Sequence, residues 1–134
     1  MTRILILQDE SSWNACLKRS LVGHHEITVT HTTADALRLL RSMEFDAVIS
    51  RVHMEHDDIF RFLRTVKADP TLATIPVVCF CGIRSRAANI AHGAMERAVR
   101  TLQAKAYLAL EDFCEGDDCD FEALRAAIET AIDC

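Results

Sequence analysis

Five short apolar runs, each followed by a stretch of helical periodicity, constrain this chain more than any other feature. The first, Arg3-Ile4-Leu5-Ile6-Leu7, ends in Gln8-Asp9-Glu10, the pattern of a buried strand running into a polar loop. Ser11 or Ser12 can cap the helix that follows, in which Trp13, Leu17 and Leu21 recur on one face and Gly23 closes the end. Glu26 to Thr30 alternates and is β-branched, so it reads as a second strand. Thr32-Thr33 opens a second helix, with Asp35 near its positive end and Ala36, Leu37 and Leu40 facing inward.

The pattern then repeats. Phe45 to Ser50 is a third strand, and Asp57 or Asp58 caps a helix carrying Ile59, Phe62, Leu63 and Val66, which stops at Asp69-Pro70. Ile75 to Cys81 is a fourth, almost wholly apolar strand. A long Ala-rich helix spans Ala87 to Leu102, with Ile90, Ala91, Ala94, Ala98 and Leu102 along its inner stripe. Ala104 to Leu110 is a fifth strand, and Asp120 caps a last helix with Phe121, Leu124, Ile128 and Ala131 or Ile132 inward. Strands that alternate with helices imply an α/β fold with a parallel sheet covered on both faces. Ligand sites of such sheets lie at the carboxyl ends of the strands.

Composition narrows the function. The chain has 134 residues, half of them apolar, which suits one domain with a sizeable core. The net charge of −5 argues against nonspecific nucleic-acid binding. No apolar run approaches the roughly 20 residues of a membrane span. No signal peptide is expected, so a cytoplasmic protein with reduced thiols is the default reading. Cys16, Cys79, Cys81, Cys114, Cys119 and Cys134 show no zinc-like pairing. His24-His25 and His53-His56 read as loop histidines, and no metal or cofactor is expected. Gln8-Asp9-Glu10-Ser11-Ser12 has no glycine, so it lacks the phosphate cradle of nucleotide and flavin binders.

These residues resemble the receiver domains of bacterial response regulators. The likeness is carried by Met1 to Glu10, by Phe45 to Met54, by Lys67-Ala68-Asp69-Pro70 followed by Ile75-Pro76-Val77-Val78, and by Ala104 to Leu108. It covers the chain in order and implies a flavodoxin-like, doubly wound (βα)5 sandwich with a five-stranded parallel sheet in the order 2-1-3-4-5. Residues 1–134 then form a single stand-alone receiver-like domain with no output domain.

The departures from the family pattern decide the chemistry. The resemblance places the phosphoacceptor Asp at Arg51, the first acid of the opening pair at Gln8, the hydroxyl residue at Cys81 and the Lys at Leu110. Asp9 and Glu10 are kept, as is the switching aromatic, Tyr107. An intact receiver holds Mg²⁺ through carboxylates and uses one of them as a nucleophile. A guanidinium cannot attack phosphorus, and it puts a permanent charge where the metal would sit. Arg51 is expected to pair with Asp9 or Glu10, the bland alternative being an arginine that drifts to solvent. The implied function is a non-catalytic pseudo-receiver that binds a protein, such as a histidine kinase, phosphotransferase or other regulator, in two-component signalling. Two alternatives stay open: a relocated acceptor at Glu55, Asp57 or Asp58, and a thiol redox sensor at Cys81, activated by Arg51. Cys114 and Cys119 flank an acidic loop and could oxidise to each other.

The fourth helix also departs. Twenty residues, 83 to 102, separate Gly82 from Gln103, about two turns more than the family needs. Arg84, Arg86, Arg97 and Arg100 make this stretch basic on an acidic chain. In the family this helix, the fifth strand and the fifth helix form the partner or dimer face. The expected role is therefore an enlarged protein-binding surface, against the simpler reading of a solvated face. Homodimerisation there is a further expectation; nucleic acid and membrane are not expected partners.

Overall fold

In the computed structural model the apolar runs become strands of four or five residues: β1 (Arg3–Leu7), β2 (Glu26–Thr30), β3 (Ala47–Arg51), β4 (Val77–Cys81) and β5 (Ala106–Ala109). The structure describes residues 2–8, 14–52, 58–81, 86–115 and 118–133, with side chains except at 14–16, 86–92, 111 and 115. The strands join in the order β2-β1-β3-β4-β5, every pairing parallel. Helices α1 (Asn14–Leu21), α2 (Thr33–Ser42), α3 (Ile59–Ala68), α4 (Arg86–Thr101) and α5 (Phe121–Asp133) connect and cover them. This is the doubly wound sandwich expected from the sequence. At 16 residues, α4 is the longest of the five.

Strand pleating explains why the runs are apolar throughout. Successive side chains point to opposite faces, and here both faces are covered. Ile4, Ile6, Ala47, Ile49, Val78 and Phe80 pack with Leu17 and Leu21 of α1 and Leu124 and Ile128 of α5. Leu5, Leu7, Val48, Val77, Cys79 and Cys81 pack with α2, α3 and α4. The sheet therefore lies between an α1/α5 layer and an α2–α4 layer.

Side chains fix the helix ends. Thr32 caps α2, its hydroxyl accepting from Asp35 N at 3.1 Å. Of the two candidate caps for α3 it is Asp58 that serves, accepting from Phe60 N at 3.0 Å and Arg61 N at 3.2 Å. Asp120 caps α5 through Ala123 N at 3.0 Å. After α1, Gly23 takes φ +86°, a conformation that only glycine adopts without cost. Lys67 Nζ donates to Ala73 O at 3.1 Å and Ile75 O at 3.2 Å, stitching α3 to the turn before β4. Burial, and then the nearby Lys105 charge, hold its pKa below the ordinary lysine value.

The structure corrects three readings. The inner stripe of α4 is Met95, Val99 and Leu102, at i, i+4 and i+7; Ala94 is exposed and Ala98 only half-buried, while the side chains of Ile90 and Ala91 lie outside the described residues. Alanines pack anywhere, so periodicity among them is a weak guide. The fifth strand is shorter than the apolar run, because Leu110 leaves the ladder to start a 3-10 turn, Leu110–Asp112. Last, the acidic loop is a small hairpin, β6 (Cys114–Glu115) against β7 (Asp118–Cys119), closed by a Cys114–Cys119 disulfide. The default of reduced thiols fails at this pair, and the alternative that Cys114 and Cys119 oxidise to each other holds; the resemblance offered no counterpart for the hairpin. Phe113 O accepts from Asp120 N at 2.7 Å, so the hairpin places the cap of α5.

Cys79 and Cys81 are free and buried. Cys81 is only 2% exposed, which corrects the alternative of a redox sensor there, since such a thiol needs access to solvent. Burial pushes the Cys79 thiol up to about 12 from its ordinary 9.0.

Three tests follow from the cysteines. Breaking the disulfide, by reduction or in Cys114→Ser, is expected to lower unfolding free energy by about 2 kcal/mol, the loop-closure value for so short a ring; urea titration measures it, and amide exchange should quicken first in the α5 first turn. An unfolded Cys79 thiol loses its proton near 9 while the folded one keeps it to about 12. The unfolded state therefore binds fewer protons between those values, and stability should fall by up to about 1.4 kcal/mol per pH unit there. Cys79→Ala should flatten this loss of stability with rising pH in urea titrations at pH 8 to 10.5. Iodoacetamide should leave Cys81 unlabelled in the native protein and label it in urea; equal labelling rates by mass spectrometry would contradict its burial.

Candidate functional site

The carboxyl ends of β1, β3, β4 and β5 converge on one edge of the sheet, and the residues singled out above fall there. Registry sets their mutual placement. Leu7 is the partner of Ser50, so Gln8, one residue on, comes beside Arg51. Arg51 is the last residue of β3 and pairs with Phe80. Phe80 belongs to the α1/α5 layer, and paired residues of a parallel ladder share a face. Arg51 therefore leaves the sheet on the α1/α5 side. Val52 N donates to Phe80 O at 2.9 Å, so pairing continues past Arg51 and holds its backbone. Arg51 itself is half-buried.

Gln8 is fixed at its backbone. Its N–H donates to Thr30 O at 3.0 Å, and its carbonyl lies 2.9 Å from His31 Nδ1, a hydrogen bond when that nitrogen carries the proton. Thr30 Oγ1 donates to Ile6 O at 3.2 Å. The Gln8 residue is 3% exposed, and its Oε1 is buried with no hydrogen-bond partner among the described residues.

Cys81 and Tyr107 belong to the other face. Cys81 sits in the α2–α4 layer, as does Tyr107, whose Cα partner is Cys79 and which is 8% exposed. The expected activation of Cys81 by Arg51 is thereby corrected, because the pleat sends the two side chains to opposite sides of the sheet. Leu110, where the resemblance places a Lys, is fully buried among Phe80, Leu124 and Ile128. It adds an apolar plug to the edge and no charge.

Asp58 is corrected as a relocated acceptor, since its carboxylate already accepts two backbone N–H groups as the cap of α3. Glu55 and Asp57 lie outside the described residues, as do His53, His56, Asp9 and Glu10, so the expected pairing of Arg51 with Asp9 or Glu10 falls there too. Among the described residues no group of three His, Cys, Asp or Glu side chains is placed to hold a metal ion.

On the basic stretch, Arg84 and the side chain of Arg86 lie outside the described residues. Arg97 and Arg100 are exposed on α4, and Arg100 meets Glu96 at 3.9 Å. The residues that the sequence reading passed over are Thr30 and His31. The available signal is position: His31 directly follows β2, where site residues of such sheets collect.

No protein-family model matches the chain. Solved structures match it end to end. A response regulator from Chloroflexus aurantiacus J-10-fl gives a TM-score of 0.77 at 19% identity, covering 99% of this chain and 98% of that one. The chemotaxis response regulator CheY4 of Vibrio cholerae gives 0.75 at 17% identity, covering 98% of each. The receiver domain of a DNA-binding response regulator from Colwellia psychrerythraea 34H gives 0.72 at 20% identity over the whole of both chains. Through the sheet order, the register and these superpositions, the chain is shown to have the fold of a response-regulator receiver domain.

Proposed function

We propose that this protein is a non-catalytic pseudo-receiver, a protein-docking module of two-component signal transduction that does not accept a phosphoryl group. The observation that carries the reading is Arg51 as the terminal residue of β3, half-buried and held against β4 by its pairing with Phe80 and by the Val52 N–H to Phe80 O. A receiver needs a carboxylate at that point to attack phosphorus. The fold family also implies a divalent cation, and the described residues do not suit one. Gln8 offers a neutral amide in place of an anionic ligand, and the guanidinium repels a cation at short range. Leu110 supplies no ammonium group to meet phosphoryl charge.

Without chemistry, signalling comes down to which surfaces the fold presents. The permanent charge of Arg51 stands in for the cation of a charged receiver, and an ion pair to Asp9 or Glu10 would keep the edge in one state. Tyr107 is already turned into the core. The α4–β5–α5 face, with Arg97 and Arg100 exposed on the long α4, is the surface for a kinase, phosphotransferase or second copy.

The test is direct. Wild type incubated with radiolabelled acetyl phosphate and Mg²⁺ should acquire no acid-labile label and should not bind beryllofluoride. Arg51→Asp, alone and with Gln8→Asp, is the comparison for restored binding. Acid-labile labelling of wild type, or beryllofluoride binding equal to that of the variants, would overturn the proposal.

A further inference from the structure

A second surface lies away from α4. Between α2 and α3 runs a groove of about 530 Å³, within the ~300–1,000 Å³ typical of ligand sites. Its floor is apolar, made by Ala34, Leu37 and Phe62, and Arg41 and Arg61 stand along it. A second depression of about 490 Å³ continues along α3, sharing Arg61 and adding Arg64. In sheet order α2, α3 and α4 follow one another on one face, so α3 separates this groove from α4.

Its charge is unlike that of the chain. The net charge overall is −5, yet α2, α3 and their capping residues carry Arg38, Arg41, Arg61, Arg64 and Lys67 against only Asp35, Asp58 and Asp69. Each of these acids is committed. Asp35 faces Arg38 at 3.7 Å, Asp58 accepts two backbone N–H groups, and Asp69 accepts from Thr71 and meets Arg41 at 3.8 Å. Lys67 is turned to backbone carbonyls. Arg61 and Arg64 are exposed and have no ion-pair partner among the described residues; Arg64 Nε reaches only Phe60 O, at 3.3 Å.

We infer that the α2–α3 groove docks a short acidic segment of a protein partner, its apolar side chain against Ala34 and Leu37 and its carboxylates against Arg61 and Arg64. Two arginines in a row along one helix suit carboxylates on successive turns, since guanidinium groups bind carboxylates in a fork. A nucleic acid fits less well. Phe62 is 1% exposed, too covered to stack on a base, and no other aromatic side chain lines the groove among the described residues. The inference goes beyond the pseudo-receiver reading and holds whether or not Arg51 blocks phosphorylation.

The probe is the peptide acetyl-Glu-Glu-Leu-Glu-Glu-amide, titrated into the full chain at low salt and followed by ¹H–¹⁵N chemical shifts. Saturable shifts at Ala34, Leu37 and Thr65 are expected. Arg61→Glu/Arg64→Glu, at exposed positions and with folding checked by thermal melt, should weaken binding about tenfold or more, as expected when two attractive surface pairs become repulsive. Arg97→Glu/Arg100→Glu should leave it unchanged, which separates this groove from the α4 face. Three outcomes would each overturn the inference: no saturable shift at α2 and α3 with millimolar peptide, shifts that map to α4, or tighter binding of single-stranded RNA at the same residues.

Discussion

Strand β3 is hydrogen-bonded to β1 on one side and β4 on the other, and it is covered by α1 and α5 on one face and by α2 to α4 on the other. Ala47, Val48, Ile49 and Ser50 are fully buried as a result. That confinement governs the rest of the molecule. It dictates that the strand be small or apolar, it fixes the register of its neighbours, and it delivers one side chain, Arg51, to the carboxyl edge with little freedom of position. A parallel ladder cannot slip by one residue without exchanging both cores. The identity of the residue at this point is therefore a chemical statement about the protein.

What that statement says is a reversal of sign. The edge of a phosphate-accepting receiver is built around acids that need a metal; the described part of this edge offers an amide, a guanidinium and an apolar plug. The neutral Gln8 and the buried Leu110, at positions where the resemblance places an acid and a Lys, support the proposed pseudo-receiver beside Arg51. The pleat also turns the Cys81 side chain to the face opposite Arg51, so Cys79 and Cys81 pack in the α2–α4 core.

Much of the fold was legible because it rests on side-chain periodicity. Runs such as Ile4 to Leu7 and Val77 to Cys81 are apolar at every position for one reason, coverage on both faces, and Thr32, Asp58 and Asp120 announce helix starts through their oxygens. The order of strands came from the resemblance, and the location of the edge from the alternation of strands with helices. Other features had no local signal. The stripe of α4 was misread because alanine tolerates both burial and exposure, whereas Met95 and Val99 mark the true face. The hairpin depends on a cross-link between two residues that register brings together, and six cysteines allow many pairings. Which strand residues share a face at the edge was readable in principle from parity, yet Cys81 and Arg51 looked like neighbours because both end strands.

The hairpin between β5 and α5 has a mechanical meaning. Closing residues 114 to 119 into a ring shortens the tether from which the last helix hangs. What remains of the connection is the 3-10 turn on one side and Asp120 on the other, joined by the Phe113 carbonyl. A partner that grips α5 thus pulls against the edge of the sheet and not against slack chain, so displacement of that helix is transmitted as strain to β5 and to Tyr107 within it.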